Sequence, residues 1–422
     1  MQSVNILDSA VNDPDYSLLS NDNVRSAVEV PRYFVIPLSI QKEGDLYTVG
    51  SVDVGDFYQL PGMGVRIIQM LGAGDAVATI KARLKAEDLD EIDVDQFVSQ
   101  LIDIGFVYTD DQRKDPPQRL LSPAKSSNRV FNVGSRLAKA IFSAPVLACY
   151  LVIVLFALTD AIENPALRLN ASALYIETNR TPLLATVLFL SLIQTAMHEL
   201  GHMLAAARHG VKSKYGISNR LWTIVAESDL TGILALPKSQ RYLPMLAGLI
   251  VDILVISLLT ILLDILLRHS TGPFVIQVVQ VLVLETVIGM AWQFNVFVKT
   301  DIYFVLCNYF SYPDLDKDAR AYLLNMLHKV TLGWFGRQAP REVCGNLIVL
   351  QIFSLVWLIG RVLSLLILFT VFLPTMWRYI ESAMQLMWGP PASVWMACDT
   401  FLYVTIMMSI LGAGTYMWIK RR

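Results

Sequence analysis

Long apolar runs in the second half of the chain constrain the fold more than any other feature. A helix needs about 20 apolar residues to cross a bilayer. The chain has runs of this kind at 141–159, 182–205, 243–267, 274–294, 347–373 and 394–418. With 54% hydrophobic and 17% charged residues, the sequence predicts an α-helical polytopic membrane protein with about six transmembrane helices.

Basic residues are distributed unevenly between the loops, and their distribution predicts the orientation of the spans. They are frequent before the first span, between the second and third, between the fourth and fifth, and in the final IKRR. The positive-inside rule then places both termini in the cytoplasm. The opening MQSVNILDSAVNDPDYSLLSNDN has no apolar core behind a basic start, so we expect no secretory signal.

The residues before the first span predict a small soluble unit. YFVIPLSIQ and LYTVGSV are strand-like and are separated by KEGD, a hairpin turn signal. Amphipathic helical patterns follow at roughly 61–72, 75–87 and 93–104, which predicts a small cytoplasmic α+β domain. The expected organisation is a disordered tail at 1–29, this domain at 30–110, a linker at 111–138 and a membrane domain at 139–422.

Charge and cysteine content exclude two other classes of function. The formal net charge is only −2, so we expect no nucleic-acid partner. The cysteines, Cys149, Cys307, Cys344 and Cys398, stand alone without a CxxC pair. This spacing predicts neither a cysteine-based metal site nor a disulfide framework, and we interpret these residues as small apolar side chains.

The segment HELGH, near the end of the second span, carries the clearest chemical signal. His198 and His202 are four residues apart, so on a helix both imidazoles share one face and can hold a single Zn²⁺. Glu199 is placed to act as the catalytic base toward water, as in zinc proteases with this pattern. The alternative is a polar cap at a helix end. A carboxylate inside a span costs about 3 kcal/mol, which favours the functional interpretation.

A third metal ligand must come from elsewhere in the chain, because catalytic zinc usually has three protein ligands. His209, His269 and His328 are expected at the interface, at the opposite membrane edge and in a soluble loop. Asp301 is the better candidate, since it follows the fourth span and can reach the depth of the histidines. The alternatives for Asp301 are a helix N-cap or a surface partner of Lys299.

Other charged residues fall within or beside the predicted spans. Asp252, Glu285 and Arg361 are intramembrane charges, and such residues pair with each other or face water. We predict that Glu285 and Arg361 form a structural pair, with a role in substrate admission as the alternative. Lys299 is expected to reach the headgroups or, alternatively, to contact substrate and stabilise an oxyanion.

The HELGH helix, the turn-rich segment after it, AGLIVDILV and the later Asn–Asp segment resemble, in that order, the site-2 protease-like intramembrane zinc metalloproteases. The likeness covers roughly residues 140–370 and is greatest to a bacterial branch of peptide zinc metalloproteases. Asn295 and Asp301 match the family segment whose Asp is a metal ligand, and Asn295 becomes a candidate substrate contact. Val296 and Ile302 replace the Pro and Gly of that segment, and Leu249 replaces a frequent Pro. Loss of the Gly predicts a restricted turn beside the ligand.

The segment FYQLPGMGVRIIQMLGAGDAVATIKARLKAEDLDEIDVDQFVSQLIDIGFV resembles the PqqD-like peptide-recognition domain, a small winged-helix fold. The alternative is a generic winged-helix domain. The resemblance implies that a leader peptide adds as a strand at a sheet edge, near Arg32–Ser39 or Tyr47–Val52. The third helix would form the other wall of the groove.

Together these resemblances imply a zinc metalloendopeptidase of the bacterial cell membrane that matures a ribosomally made precursor peptide, with one Zn²⁺ per chain. Partners would be the precursor, the lipid bilayer, and an exporter or other biosynthetic proteins. The turn-rich segment at 210–240 is expected to form short strands that offer an edge to an unwound substrate. The alternatives are a catalytically inactive partner for export, immunity or scaffolding, and a peptide transporter, for which the intramembrane charges are too few.

Overall fold

The computed structural model describes most of the chain, in segments that include both halves of the predicted organisation. The described residues are 32–52, 54–87, 92–109, 130–131, 135–169, 179–220, 223–269, 272–312, 314–331, 346–367, 369–370, 373–388 and 393–420. The predicted tail at 1–29 and most of the predicted linker lie outside them.

The N-terminal domain contains two small antiparallel sheets and three helices. Strand β1 (Tyr33–Val35) pairs with β5 (Val107–Thr109), and β2 (Ser39–Glu43), β3 (Leu46–Ser51) and β4 (Asp56–Pro61) form a meander. The helices are α1 (Gly62–Gly72), α2 (Val77–Ala86) and α3 (Val94–Asp103). The hairpin and all three helices agree with the sequence prediction, whereas β4 was not predicted.

The spacing of apolar residues explains how this domain forms its hydrophobic core. Val49 of β3, Ile68 of α1, Leu101 of α3 and Phe106 are buried together in one core. Gly44, in the KEGD turn, has a φ of +67°, a conformation that glycine adopts without the steric cost paid by other residues. Because β3 pairs with both β2 and β4, Tyr47–Val52 has no open edge, and this alternative for leader binding is wrong. The alternative edge near Arg32–Ser39, which contains β1, stays a prediction.

In the described residues after the N-terminal domain, the chain forms strand β6 (Val130–Phe131), ten helices and two further strands. The helices are α4 (Ser135–Ile141), α5 (Ala144–Glu163), α6 (Arg180–Ala207), α7 (Lys238–Arg268), α8 (Pro273–Trp292), α9 (Asp301–Phe310), α10 (Leu315–Val330), α11 (Leu347–Ile367), α12 (Leu373–Trp388) and α13 (Val394–Lys420). Strands β7 (Ser213–Arg220) and β8 (Thr223–Asp229) lie between α6 and α7. The end of the predicted linker is thus a strand and a helix.

Six of these helices are long and apolar enough to cross a membrane, as the sequence predicts: α5, α6, α7, α8, α11 and α13. Large apolar side chains such as Val152 and Phe156 of α5 are exposed, as expected for helices whose outer faces meet lipid. Helix α12 was not predicted, since its mixed sequence LPTMWRYIESAMQLMW falls below the apolar length of a span.

The helices α6 and α7 pack closely because small residues meet at their crossing. A Cβ added to Gly201 of α6 would lie 2.7 Å from Cγ2 of Val251 and 3.1 Å from the carbonyl oxygen of Ala247 on α7. Glycine therefore permits a backbone approach that other residues would prevent. This approach places the polar residues of α7 beside HELGH.

The turn-rich segment after α6 forms the short strands that the sequence predicts. β7 pairs antiparallel with β8, and β6 pairs with the other edge of β7, so the sheet order is β6-β7-β8. Within the described residues, strand β8 lies at one edge of this sheet and contacts α6. A short 3-10 turn at Thr231–Ala235 then leads into α7.

Candidate metal centre

Both HELGH histidines lie in the last third of α6 and point toward α7. The four-residue spacing puts them on one face of the helix, and their ring centroids are 4.8 Å apart. His198 is buried, and only 2% of His202 is exposed. The neighbouring Gly201, Met203 and Leu204 on α6 are buried as well.

Asp301 joins the two histidines. Its Oδ2 lies 3.2 Å from Nε2 of His198 and 3.2 Å from Nε2 of His202, and the two Nε2 atoms are 3.1 Å apart. These three side chains could hold a metal ion. Zinc with ligand distances of 2.0–2.1 Å has tetrahedral ligand–ligand separations of about 3.3 Å, close to this triangle.

The other ring nitrogens show why the triangle suits a cation. Nδ1 of His202 lies 2.7 Å from the carbonyl oxygen of Pro244, which can only accept, so Nδ1 donates. Nδ1 of His198 lies 2.8 Å from Oδ2 of Asp252 and donates to that carboxylate in its neutral tautomer. Each Nε2 then presents a lone pair to the Asp301 carboxylate. Three converging acceptors repel one another unless a cation lies between them, so the donor set fits a metal ion.

Asp301 owes its position to the end of α8 and the start of α9. The side chain of Gln293 accepts from the Asp301 N–H at 3.2 Å, and the Thr300 hydroxyl donates to the Gln293 carbonyl at 2.5 Å. Asp301 occupies the first turn of α9, where the helix dipole favours a carboxylate.

Two departures from the family segment have no structural cost at this ligand. Ile302 lies within α9, and the nearest positive φ is at Lys299, with a value of 57°. The prediction of a restricted turn at Ile302 is therefore wrong, because the helix gives that residue an ordinary conformation. Val296 lies buried in the short 3-10 turn that precedes Lys299, in a core with Tyr303.

The segment AGLIVDILV on α7 supplies more to the centre than the sequence indicated. A Cβ on Gly248 would lie 2.4 Å from Nε2 of both His198 and His202. Glycine at this position therefore leaves room beside the two ligand nitrogens. Asp252, four residues later on the same face, orients His198. The sequence prediction did not include this role for Asp252. A carboxylate four residues after a glycine, within an apolar run, is a pattern that could have indicated it.

Glu199 lies at the edge of a cavity of about 360 Å³ that His202 and Asp301 also line. Its side chain is buried, and among the described residues its carboxylate has no hydrogen bond or ion pair. The remaining lining residues come mainly from β8 and the turn after it: Glu227, Ser228, Asp229, Leu230, Thr231, Ile233, Leu234, Met245 and Phe304. Strand β8 and two of the predicted ligands, His202 and Asp301, therefore line the same cavity.

Asn295 and Lys299 lie in the loop before Asp301 but have other partners. The amide oxygen of Asn295 faces α11, 3.9 Å from where a Cβ on Gly360 would lie. Lys299 is not among the residues that line the cavity, and its Nζ lies 3.2 Å from Asp314 and 3.8 Å from Asp316. Its contact with headgroups stays a prediction. Burial raises the pKa of Asp314, and the Lys299 charge reverses this, so the pKa is below its usual value.

The predicted Glu285–Arg361 pair is wrong, since each residue has a different partner. Oε2 of Glu285 accepts from the Ser191 hydroxyl at 2.6 Å, between α8 and α6. The Arg361 guanidinium lies 5.6 Å from the ring centroid of Phe297 and 5.7 Å from that of Trp357. A cation can bind aromatic faces in place of a carboxylate, which charge alone does not predict.

The remaining histidines lie outside the cluster, as predicted, but His328 lies in helix α10 and not in a loop. His269 is the C-cap of α7 and its Nδ1 contacts the carbonyl oxygen of Ile265. His209 follows α6, where burial and the charges of Arg208 and Lys139 lower its pKa.

Comparison with protein-family models, curated proteins and solved structures finds no match to this chain.

Proposed function

We propose that this chain is a zinc metalloendopeptidase of the bacterial cell membrane that cleaves a peptide or small precursor at or within the bilayer. The observation that carries the proposal is the triangle of His198, His202 and Asp301 beside the buried carboxylate of Glu199 at one cavity. Two imidazoles and a carboxylate, with one position left for substrate or water, are the usual ligands of catalytic zinc. Zinc held there would supply Lewis acidity, which acidifies water and polarises a carbonyl.

The protein's own groups would perform the proton transfers. Glu199 would take a proton from the attacking water and return it to the leaving amine. Asp252 and the Pro244 carbonyl hold both histidines in the tautomer whose Nε2 can bind metal. The apolar residues of the lining, which include Leu230 and Met245, would limit access of bulk water and strengthen these interactions.

The substrate would enter the cavity in an extended form. Internal hydrogen bonds of a helix shield its peptide groups, so a membrane-embedded substrate must unwind before cleavage. Strand β8 is an edge strand whose residues 227–229 line the cavity, and it could pair with such a segment. The PqqD-like domain would hold the leader of the same precursor at its β1 edge, and an exporter or other biosynthetic protein would take the product.

A second candidate function is a catalytically inactive membrane partner that keeps the zinc site. The substitutions at Val296 and Ile302 motivated this alternative. The position of Ile302 in a regular helical turn weakens the support for an inactive partner. Zinc content cannot separate the two candidates, whereas cleavage can.

Cleavage by Glu199→Gln provides the test. Wild type and variant, purified into zinc-containing liposomes, are incubated with synthetic peptides that join a polar leader to an apolar segment, and products are measured by mass spectrometry. We expect both proteins to bind one zinc, with cleavage by the variant reduced about 10²- to 10⁴-fold because the general base is lost. The matched control is Glu285→Gln, an intramembrane carboxylate outside the cluster.

Equal cleavage by wild type and Glu199→Gln would remove Glu199 as the base. Zinc binding by wild type without cleavage of any peptide in the set would favour the inactive partner. Loss of activity in Glu285→Gln to the level of Glu199→Gln would show that the effect is not specific to the site.

A further inference from the structure

The N-terminal domain is fastened to the membrane domain at the wall of the metal-site cavity. The Ser39 hydroxyl and the Gln41 side-chain amide, both on β2, donate to the carbonyl oxygen of Ala235 at 3.2 and 3.0 Å. Ala235 ends the turn Thr231–Ala235, and three residues of that turn, Thr231, Ile233 and Leu234, line the cavity. A single turn therefore serves both as a docking surface and as a cavity wall.

A buried ion pair lies at the centre of this contact. Nη2 of Arg241, in the first turns of α7, is 2.6 Å from Oε1 of Glu43 on β2. The two side chains are only 3% and 5% exposed. Charges so well removed from water are tolerated only when they are paired, so each depends on the other.

Arg241 also holds the cavity wall directly. Its Nε donates to the carbonyl oxygen of Leu236 at 2.8 Å, and its Nη2 donates to that of Leu234 at 2.9 Å. Its Nη1 lies 3.5 Å from Oδ1 of Asn308, on the helix α9 that begins with Asp301. One guanidinium thus joins the turn, the helix of the third ligand and the N-terminal domain.

A second set of contacts fixes the end of α9 in the same way. The Gln59 side chain on β4 donates to the carbonyl oxygen of Ser311 at 3.3 Å. Lys238 of α7 donates to the carbonyl of Tyr309 at 2.8 Å and to the Ser311 hydroxyl at 2.7 Å. The N-terminal domain therefore reaches both the turn and the far end of the Asp301 helix.

We infer that the N-terminal domain is an intramolecular positioning element for the metal-site cavity, and that the Glu43–Arg241 pair is its interlock. Glu43 neutralises Arg241, and Arg241 then holds Leu234 and Leu236 so that the turn keeps its shape beside Glu199 and Asp301. Neither residue touches the metal ligands, so both act through the turn. This inference rests on the proposed function only for its consequence on cleavage, since the interlock itself is testable without it.

The direct test is hydrogen exchange of the full chain in liposomes, measured on Glu43→Gln without added metal. The amides of Ile233 and Leu236 are bonded within the turn. We expect them to exchange about tenfold faster or more in the variant, because an unpaired buried guanidinium destabilises its surroundings. Glu87→Gln is the matched control, since it removes the partner of Arg66 in an exposed pair of the same domain, and it should leave these amides unchanged.

A milder variant keeps the inference testable if Glu43→Gln does not fold. Gln41→Ala removes one of the two bonds to Ala235 without leaving a charge unpaired. It should raise exchange of the same amides by about threefold, the effect expected for one ordinary hydrogen bond. Unchanged exchange in every folded variant of Glu43 or Gln41 would overturn the interlock.

Zinc affinity and cleavage separate the interlock from the proposed function. In Glu43→Gln we expect unchanged zinc affinity and a lower kcat on the peptides described above, with a smaller change in KM. Faster exchange with an unchanged kcat would overturn the positioning role. Faster exchange with no cleavage by any protein, wild type included, would support the interlock and overturn only the proposed protease.

Discussion

Two buried polar clusters share one face of α7, and they differ in the origin of their positive charge. The face consists of Arg241, Pro244, Gly248 and Asp252, at three- or four-residue spacing. In the interlock, acceptors surround a cation that belongs to the chain, namely Arg241. At the metal centre, acceptors converge on one another and could hold a cation from outside. Folding alone completes the first cluster, whereas the second could also take up a metal ion.

The largest expected effect is a loss of zinc affinity that leaves the Glu43–Arg241 interlock unchanged. Gly248→Ala adds a methyl group 2.4 Å from both Nε2 atoms, and overpacking of this kind costs about 1–3 kcal/mol. We expect zinc affinity to fall by about 10- to 100-fold while hydrogen exchange in the Thr231–Ala235 turn stays as in wild type. Titration with a fluorescent zinc competitor measures the affinity.

Gly289→Ala on α8 is the matched control, because open space surrounds Gly289. It should leave zinc affinity unchanged. If Gly248→Ala also binds zinc normally, α7 can shift away from the histidines, and the close approach is not needed for metal binding.

A smaller effect sharpens the role of charge at the metal centre. Asp252→Asn keeps an acceptor for Nδ1 of His198 but removes the negative charge, and loss of such a partner typically weakens metal binding about 10- to 100-fold. We expect the lower end of this range, measured by the same zinc titration. Asp264→Asn, on the same helix but paired with Arg268, is the control and should have no effect on zinc. Equal zinc affinity in wild type and Asp252→Asn would mean that the carboxylate only fills space.

The smallest expected effect is a change in thermal stability. It arises from the backbone beside Asp301 and involves no charged group of either cluster. Ile302→Gly introduces the glycine of the site-2 protease-like segment at a helical position, where Gly is less stable than Ala by about 0.5–1 kcal/mol. Ile302→Ala loses similar packing and is the matched control. Thermal unfolding should rank Ile302→Gly below Ile302→Ala, with equal zinc affinity. A higher zinc affinity in Ile302→Gly would show that the ligand turn is restricted after all.

Local patterns in the sequence were sufficient for most of the fold. The six apolar runs, the KEGD hairpin and the three amphipathic helices depend on neighbouring residues, and the structure contains all of them. Strand β4 escaped prediction because its DFYQLP run borders directly on the α1 helix pattern. Helix α12 escaped it because its 16 residues mix polar and apolar side chains and are too few to cross a bilayer.

The three candidate metal ligands were predictable for a different reason, since zinc chemistry restricts both residue type and spacing. His198, His202 and Asp301 lie together as expected. The partners of Glu285, Lys299 and Arg361 were not predictable, because each depends on which faces of separate helices meet. Asp314 and Asp316 bind Lys299 only because α10 folds back beside the loop, and aromatic rings bind Arg361. Tertiary contacts of this kind produce no periodic pattern in the sequence.

The short strand β6 has a consequence for membrane topology that requires no charge statistics. Its residues Val130 and Phe131 pair with Lys214 and Ser213, and α5 and α6 lie between the two strands. If a bilayer contains these helices, the chain must cross it an even number of times between β6 and β7. At the other end of α6, the backbone N–H groups of Arg180 and Thr181 donate to Asp399 near the start of α13. Parity then puts those two helix ends on one side and the β6-β7-β8 sheet on the other.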